Sequence, residues 1–174
     1  MDVSGYTAEC GAKSTPGVKS KLYLVCACDI DTFPARLATT GVGDTVTLSG
    51  NITLKAGKKF AEIDIISETG QIKHTAGGSI TSKAFSNSFD FKVMKDIGSD
   101  EWFDNHLNGC FVGIVVEKDG SKRVFGEPDM PARIEAAEGS TGDDVSSEKS
   151  WIAQILDKTG RVAPYYTGTI DLTA

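Results

Sequence analysis

Cysteine, histidine and paired carboxylates have the widest chemical repertoire in this 174-residue chain, and their spacing argues against most of it. The four cysteines, Cys10, Cys26, Cys28 and Cys110, are not spaced like the framework of a small disulfide-stapled domain. Cys26 and Cys28 flank Ala27 in a stretch that reads as a strand, so both point to one face, and they are expected to be small buried core residues. Zinc held with His74 or His106 is disfavoured, because neither Cys-x-x-Cys nor His-x-x-x-His occurs. His74 falls in a polar stretch. His106 stands near a helix end, where the dipole favours it as a boundary residue over a catalytic base. Neither histidine has a nucleophile beside it in sequence. Asp29 and Asp31 form a carboxylate pair, but in an ordinary strand-ending position. There is no Gly-x-Ser-x-Gly elbow, phosphate-binding Gly-x-x-x-x-Gly-Lys or His-Glu-x-x-His. The expectation is a protein that is not an enzyme and uses no cofactor or metal.

Two further groups stand out by position. Between Arg133 and Lys149 every charge is negative: Glu135, Glu138, Asp143, Asp144 and Glu148. Their spacing matches no EF-hand loop, and a solvated acidic loop is the plain expectation. Residues 67–83 are polar and rich in glycine and threonine, with Ile72 and Ile80 the main apolar side chains. Such a segment can form strands but has little to bury within one chain, so its backbone ordering is not repaid internally. A partner chain would repay it, through Gln71, Ile72, His74, Gly77, Gly78 and Ile80; a flexible loop is the alternative.

The elements around these groups read mainly as strands. The apolar run at 110–116, closed by Asp119-Gly120 and returning through 121–126, predicts a strand buried on both faces that turns through a tight hairpin. Residues 99–107 predict a short helix covering one of those faces, capped by Ser99 and ended by Asn108-Gly109 in the left-handed conformation. Earlier, 18–28 predict a strand with Leu22, Leu24, Cys26 and Cys28 on one face. Residues 45–54 alternate almost completely, predicting one half-buried strand with Val46, Leu48, Ile52 and Leu54 inward. One long hairpin is expected over 60–93, with its tip around Ala76-Gly77-Gly78 and with Phe85, Asn87, Phe89, Phe91 and Val93 sharing a face. A weak strand at 132–137, a loop at 138–144 and closing strands at 151–156 and 165–172 complete the pattern.

Length and composition suit one domain with one sizeable core. The net charge of −6 and pI near 4.9 argue against a dedicated nucleic-acid binder, whose affinity comes from clustered Lys and Arg. The same balance would let DNA pass without sticking. No apolar stretch is long enough to span a bilayer. Residues 1–10 lack the basic start and apolar middle of a secretory or lipoprotein signal, so the expected place of synthesis is a cytoplasm.

In layout, the chain resembles the major tail tube proteins of long-tailed bacteriophages. The likeness rests on VKSKLYL at 18–24, NGCFVGIVVEKDG at 108–120, and VFGEPDMPAR at 124–133. The last is similar to the G…PA connection in such proteins from phages of Bacteroidetes-like hosts. The resemblance implies a single mainly β domain, a β-sandwich or partly rolled barrel. One flanking α-helix, a protruding hairpin arm at 67–83 and an N-terminal arm at 1–17 would complete it. It implies a structural virion protein of the phage tail, made in the host cytoplasm. Six copies would close into rings that stack into a tube with other tail proteins and conduct DNA during ejection. Glu135, Glu138, Asp143 and Asp144 are then candidates for the lumen, and no membrane is involved. A carbohydrate-binding or adhesin-type β-sandwich, using Trp151, Tyr165 or Tyr166, is the alternative. A tube subunit of a contractile tail or a secretion apparatus would share the same physics.

Overall fold

The computed structural model describes residues 15–37, 43–144 and 146–172. Residues 1–14 of the expected N-terminal arm, with Cys10, lie outside the described residues. In chain order the elements are β1 (Val18–Cys26), β2 (Ile30–Thr32), β3 (Thr47–Leu48), β4 (Thr53–Leu54), β5 (Ala61–Asp64), β6 (Gln71–Ser79) and β7 (Ser82–Met94). After these come α1 (Ile97–His106), β8 (Phe111–Glu117), β9 (Lys122–Phe125), β10 (Arg133–Ser140), β11 (Ser150–Gly160) and β12 (Tyr165–Tyr166). They form a six-stranded sheet, β3-β12-β9-β8-β1-β5, a four-stranded sheet, β10-β11-β7-β6, and a small β2-β4 pair. The fold is mainly β and sandwich-like, and none of these sheets closes into a barrel.

Strand β8 is buried on both faces, as its unbroken apolar run requires. Phe111 and Val115 join one cluster, with Leu22, Leu24 and Phe125 of the same sheet and Phe89, Phe91, Ile134, Ala153 and Ile155 of the four-stranded sheet. Val112 and Ile114 join a second cluster on the opposite face, with Val25, Ile30, Leu48, Ile52, Phe60, Val124 and Tyr166. Phe89 stacks on Phe91 with centroids 5.3 Å apart and meets Phe125 at 6.0 Å. Each such ring contributes about 1.5–3 kcal/mol by leaving water. The hairpin after β8 forms, but with a three-residue loop: Glu117 N donates to Ser121 O and Gly120 N to Glu117 O, Gly120 takes φ +96° while Asp119 does not take positive φ, and Asp119 Oδ1 accepts from Ser121 N and Oγ.

Helix α1 covers the first cluster with Phe103, but its ends differ from the expectation. Asp96, not Ser99, is the N-cap; the Asp96 carboxylate accepts from Ser99 N while Ser99 Oγ accepts from Asp96 N. That reciprocal pair satisfies two otherwise free donors of the first turn. At the other end Leu107 stays right-handed, and neither Asn108 nor Gly109 takes positive φ. Gly109 is needed for space: a Cβ there would lie 2.0 Å from Phe111 Cζ.

Three expected strands are redrawn. Residues 45–54 do not form one strand, because Ser49-Gly50-Asn51 bends the chain, with Gly50 at φ +120°. Leu48 and Ile52 still face inward, but β3 and β4 belong to different sheets. Residues 60–66 do not form the first leg of the long hairpin. β5 pairs with β1 in the six-stranded sheet, and the chain crosses to the four-stranded sheet through a turn in which Glu68 takes φ +65°. Finally, the closing strand stops at Tyr166, whose hydroxyl donates to Thr169 O and accepts from Ile52 N. Ile170 packs against the second cluster, while Leu172 is exposed.

Candidate functional site

The clearest departure from a self-contained domain is the hairpin of β6 and β7. Its register, Gln71↔Asp90 through Ser79↔Ser82, puts the turn at Ile80-Thr81, two residues beyond the tip expected at 76–78. Gly78 serves that turn: it takes φ +116°, and a Cβ there would lie 2.1 Å from Ser82 O. From His74 outward to Phe85, every residue of the two strands is exposed. Ile80 at the tip is 96 % exposed. From Gly70 to Phe89 the arm carries Lys73, His74 and Lys83 and no acid. β6 is the last strand of its sheet, so its outer row of N–H and C=O groups faces no strand among the described residues. Of the six residues expected at subunit contacts, Gln71, Ile72, His74, Gly77 and Gly78 lie on β6 and Ile80 in the turn. Ile72 is partly committed, since it packs against the first cluster.

A buried polar network fixes the arm at its base. Asn87 is fully buried and Asp157 is 1 % exposed. Asn87 Oδ1 accepts from His74 Nδ1 at 2.8 Å and from Ala163 N at 3.2 Å. Asn87 Nδ2 donates to Asp157 Oδ2 at 2.9 Å and to Arg161 O at 2.7 Å. Thr159 N donates to the other Asp157 oxygen at 2.8 Å. Every hydrogen-bonding position of the amide is therefore used. The sequence placed Asn87 on the inward face but not this role, because its partners come from β11 and the segment after it.

A groove of about 570 Å³ lies between β5, the end of β7 and α1. Ile63, Ile65, Val93, Met94 and Trp102 give it an apolar lining, and Glu62, Asp64 and Asp96 bring negative charge. Lys21 pairs with both Glu62 and Asp64, which holds its ammonium pKa above 10.5. Met94 and Ile97 beside the groove are 68 % and 88 % exposed. β5 is the edge of its sheet, so an apolar groove and an open strand edge coincide.

The acidic residues split into two sites. Glu135 and Glu138 are exposed on β10, which is a strand through Ser140 where a loop was expected from 138. Asp143 and Asp144 are exposed in the following loop. A hydrogen bond from Ser147 Oγ, 2.7 Å long, holds the Asp143 carboxyl below its ordinary value.

The remaining candidates have structural partners. Cys26 is half-buried, Cys28 is exposed, and the two form a disulfide. This corrects the expectation of two buried core thiols: the strand ends at Cys26, and a 3-10 turn over Ala27–Asp29 swings Cys28 outward. Cys110 is a free, half-buried thiol. Among the described residues, the group with metal-ligand spacing is Cys26, Cys28 and Asp29, and it includes neither histidine. His106 Nδ1 donates to Trp102 O at 2.8 Å and its ring stacks on Trp102. The aromatics of a sugar platform are likewise engaged. Trp151 stacks on Phe103, donates to Asp100 and lies under Lys95. Tyr165 has Arg123 3.5 Å over its ring, and Tyr166 is buried, which raises its phenol pKa. Among the described residues, no helix is long and apolar enough to cross a membrane. Compared with known proteins, the chain matches no family model, no curated protein and no solved structure.

Proposed function

We propose that this protein is a self-assembling structural subunit of the tail tube type, in which copies join into rings, six per ring, and the rings stack around a channel for DNA. The observation that carries the reading is the β6–β7 arm: a hairpin anchored at its base by a buried polar network, without an acid from Gly70 to Phe89, exposed from His74 outward to Phe85 and tipped by an exposed isoleucine. Isolated two-stranded hairpins are marginal in water, and ordering each residue costs about 1–2 kcal/mol of backbone entropy. A partner surface offsets that cost.

The occupant proposed for the groove between β5 and α1 is the arm of a second copy. Its Lys83 complements the acidic rim of Glu62, Asp64 and Asp96, although Glu62 and Asp64 already share Lys21 and Lys73 of the arm is held by Asp90, and Ile80 suits the apolar floor. One chain thereby presents both an arm and a receiver, the head-to-tail arrangement that builds rings or filaments. The exposed strand edges β5 and β6 are pairing liabilities that assembly would cover. The net negative charge suits a conduit that must release phosphates rather than hold them.

Shortening the arm tests this. Replacing residues 76–85 with Asn-Gly would close Thr75 onto Ser86 through a two-residue turn, in the same hydrogen-bonding phase as the present Ser79↔Ser82 closure, while keeping the anchoring network. The variant is expected to keep its circular dichroism spectrum and sediment as a single subunit under conditions where the full arm gives large assemblies. A folded, shortened variant that still assembles would overturn the proposal.

A further inference from the structure

We propose that the Cys26–Cys28 disulfide is a thiol–disulfide exchange site, opened and closed by small thiols of the glutathione class through the exposed Cys28 sulfur. The link spans one intervening residue. The entropy a cross-link removes from the unfolded chain grows with the loop it closes, so this one holds little of the fold together. Backbone hydrogen bonds already fix the turn: Ala27 N donates to Cys110 O at 3.0 Å and Lys55 N to Asp29 O at 2.9 Å. A disulfide that is exposed and structurally dispensable belongs to the labile rather than the structural class.

The surroundings also assign the direction of attack. Cys28 is exposed and Cys26 half-buried, so an incoming thiolate reaches Cys28 Sγ. Cys26 is then the leaving sulfur, and it already accepts a hydrogen bond from Cys28 N at 3.4 Å, which stabilises a departing thiolate. Lys55 Nζ lies 2.6 Å from Cys28 O. Lys58 pairs with Asp29 at 3.2 Å, offsetting the carboxylate nearest the two sulfurs. In the first step the external thiolate bonds to Cys28 Sγ, the Cys26–Cys28 bond breaks, and its electron pair goes to Cys26. In the second, another thiolate attacks the external sulfur of the mixed disulfide and releases Cys28. The two external thiols are oxidised to their disulfide, the protein link is reduced, and the two protons the thiols lost end on Cys26 and Cys28. Opening the link leaves the turn between β1 and β2 held by those backbone hydrogen bonds and by Ile30, which belongs to the second core cluster.

The test uses the full folded chain in glutathione buffers, followed by acid quench, alkylation and peptide mass spectrometry. In excess reduced glutathione the Cys26/Cys28 dithiol is expected to exceed the disulfide by about tenfold or more, and excess oxidised glutathione should restore the link. The Cys26→Ser variant should collect glutathione on Cys28, and Cys28→Ser should collect several-fold less on Cys26. A link that opens only in denaturant, or one that oxidised glutathione cannot re-form in the folded wild-type chain, would overturn the proposal without reference to either variant. The outcome is independent of assembly.

Discussion

Asn87 joins three segments through one side chain: β6 by His74, β11 by Asp157, and the segment after β11 by Arg161 and Ala163. Replacing it with leucine keeps the branched shape, with bulkier methyl groups, but leaves the Asp157 carboxylate short of a donor in a buried site. The expected cost is about 2–4 kcal/mol, read as a lower urea midpoint at unchanged slope; a change below a few tenths would remove the network from the account. Alternation over 85–93 places Asn87 on the face of Phe89 and Phe91, whose burial makes that face the inward one. Its partners were not legible, because Asp157 is 70 positions away. Cys28 illustrates the opposite failure. Period-two reasoning assumed the strand ran on to residue 28, and the 3-10 turn at Ala27–Asp29 ended it earlier.

Helix α1 owes its start to Asp96, whose carboxyl is held below its ordinary value of 3.8 chiefly by the hydrogen bond from Ser99 N. Asp100 is lowered too, first by Lys95 and then by the Trp151 indole. A carboxyl whose pKa is lower folded than unfolded stabilises the fold above the unfolded value, and the contribution is lost as pH falls through the folded value. The stability difference between wild type and Asp96→Ala should therefore be present at neutral pH and vanish well below 3.8. Urea midpoints at the two pH values check it, and a difference that persists in acid would contradict the capping role. The helix itself was legible in its acidic first turn and in Trp102 and Phe103, whereas its cap was displaced by one turn because Asp96 and Ser99 are both good capping residues. The 45–54 stretch shows the limit of periodicity: inward and outward positions were right at Leu48 and Ile52, yet alternation does not register that Gly50 turns the chain into another sheet.

At the scale of the whole molecule, two sheets share one core, the six-stranded sheet buries its second face, and what is left over is an arm, an acidic apolar groove and open strand edges. The mainly β class is legible because strand-length alternation recurs along the chain, punctuated by glycines at its turns. The sheet order is not, because 60–66 pairs with β1 rather than with the neighbouring hairpin, a choice made by the packing of Phe60 and Ile65. If the exposed acids of β10 line the proposed channel, reversing Glu135 and Glu138 to lysine should leave assembly intact and slow DNA release, as followed by dye binding to ejected DNA. Unchanged release would place β10 elsewhere. The most direct measurement of the central claim is negative-stain electron microscopy with light scattering on the purified full chain across concentration and salt. Rings or tubes with an open channel are expected, with scattering that grows with concentration. A chain that stays monomeric throughout, with its arm intact, would contradict that claim.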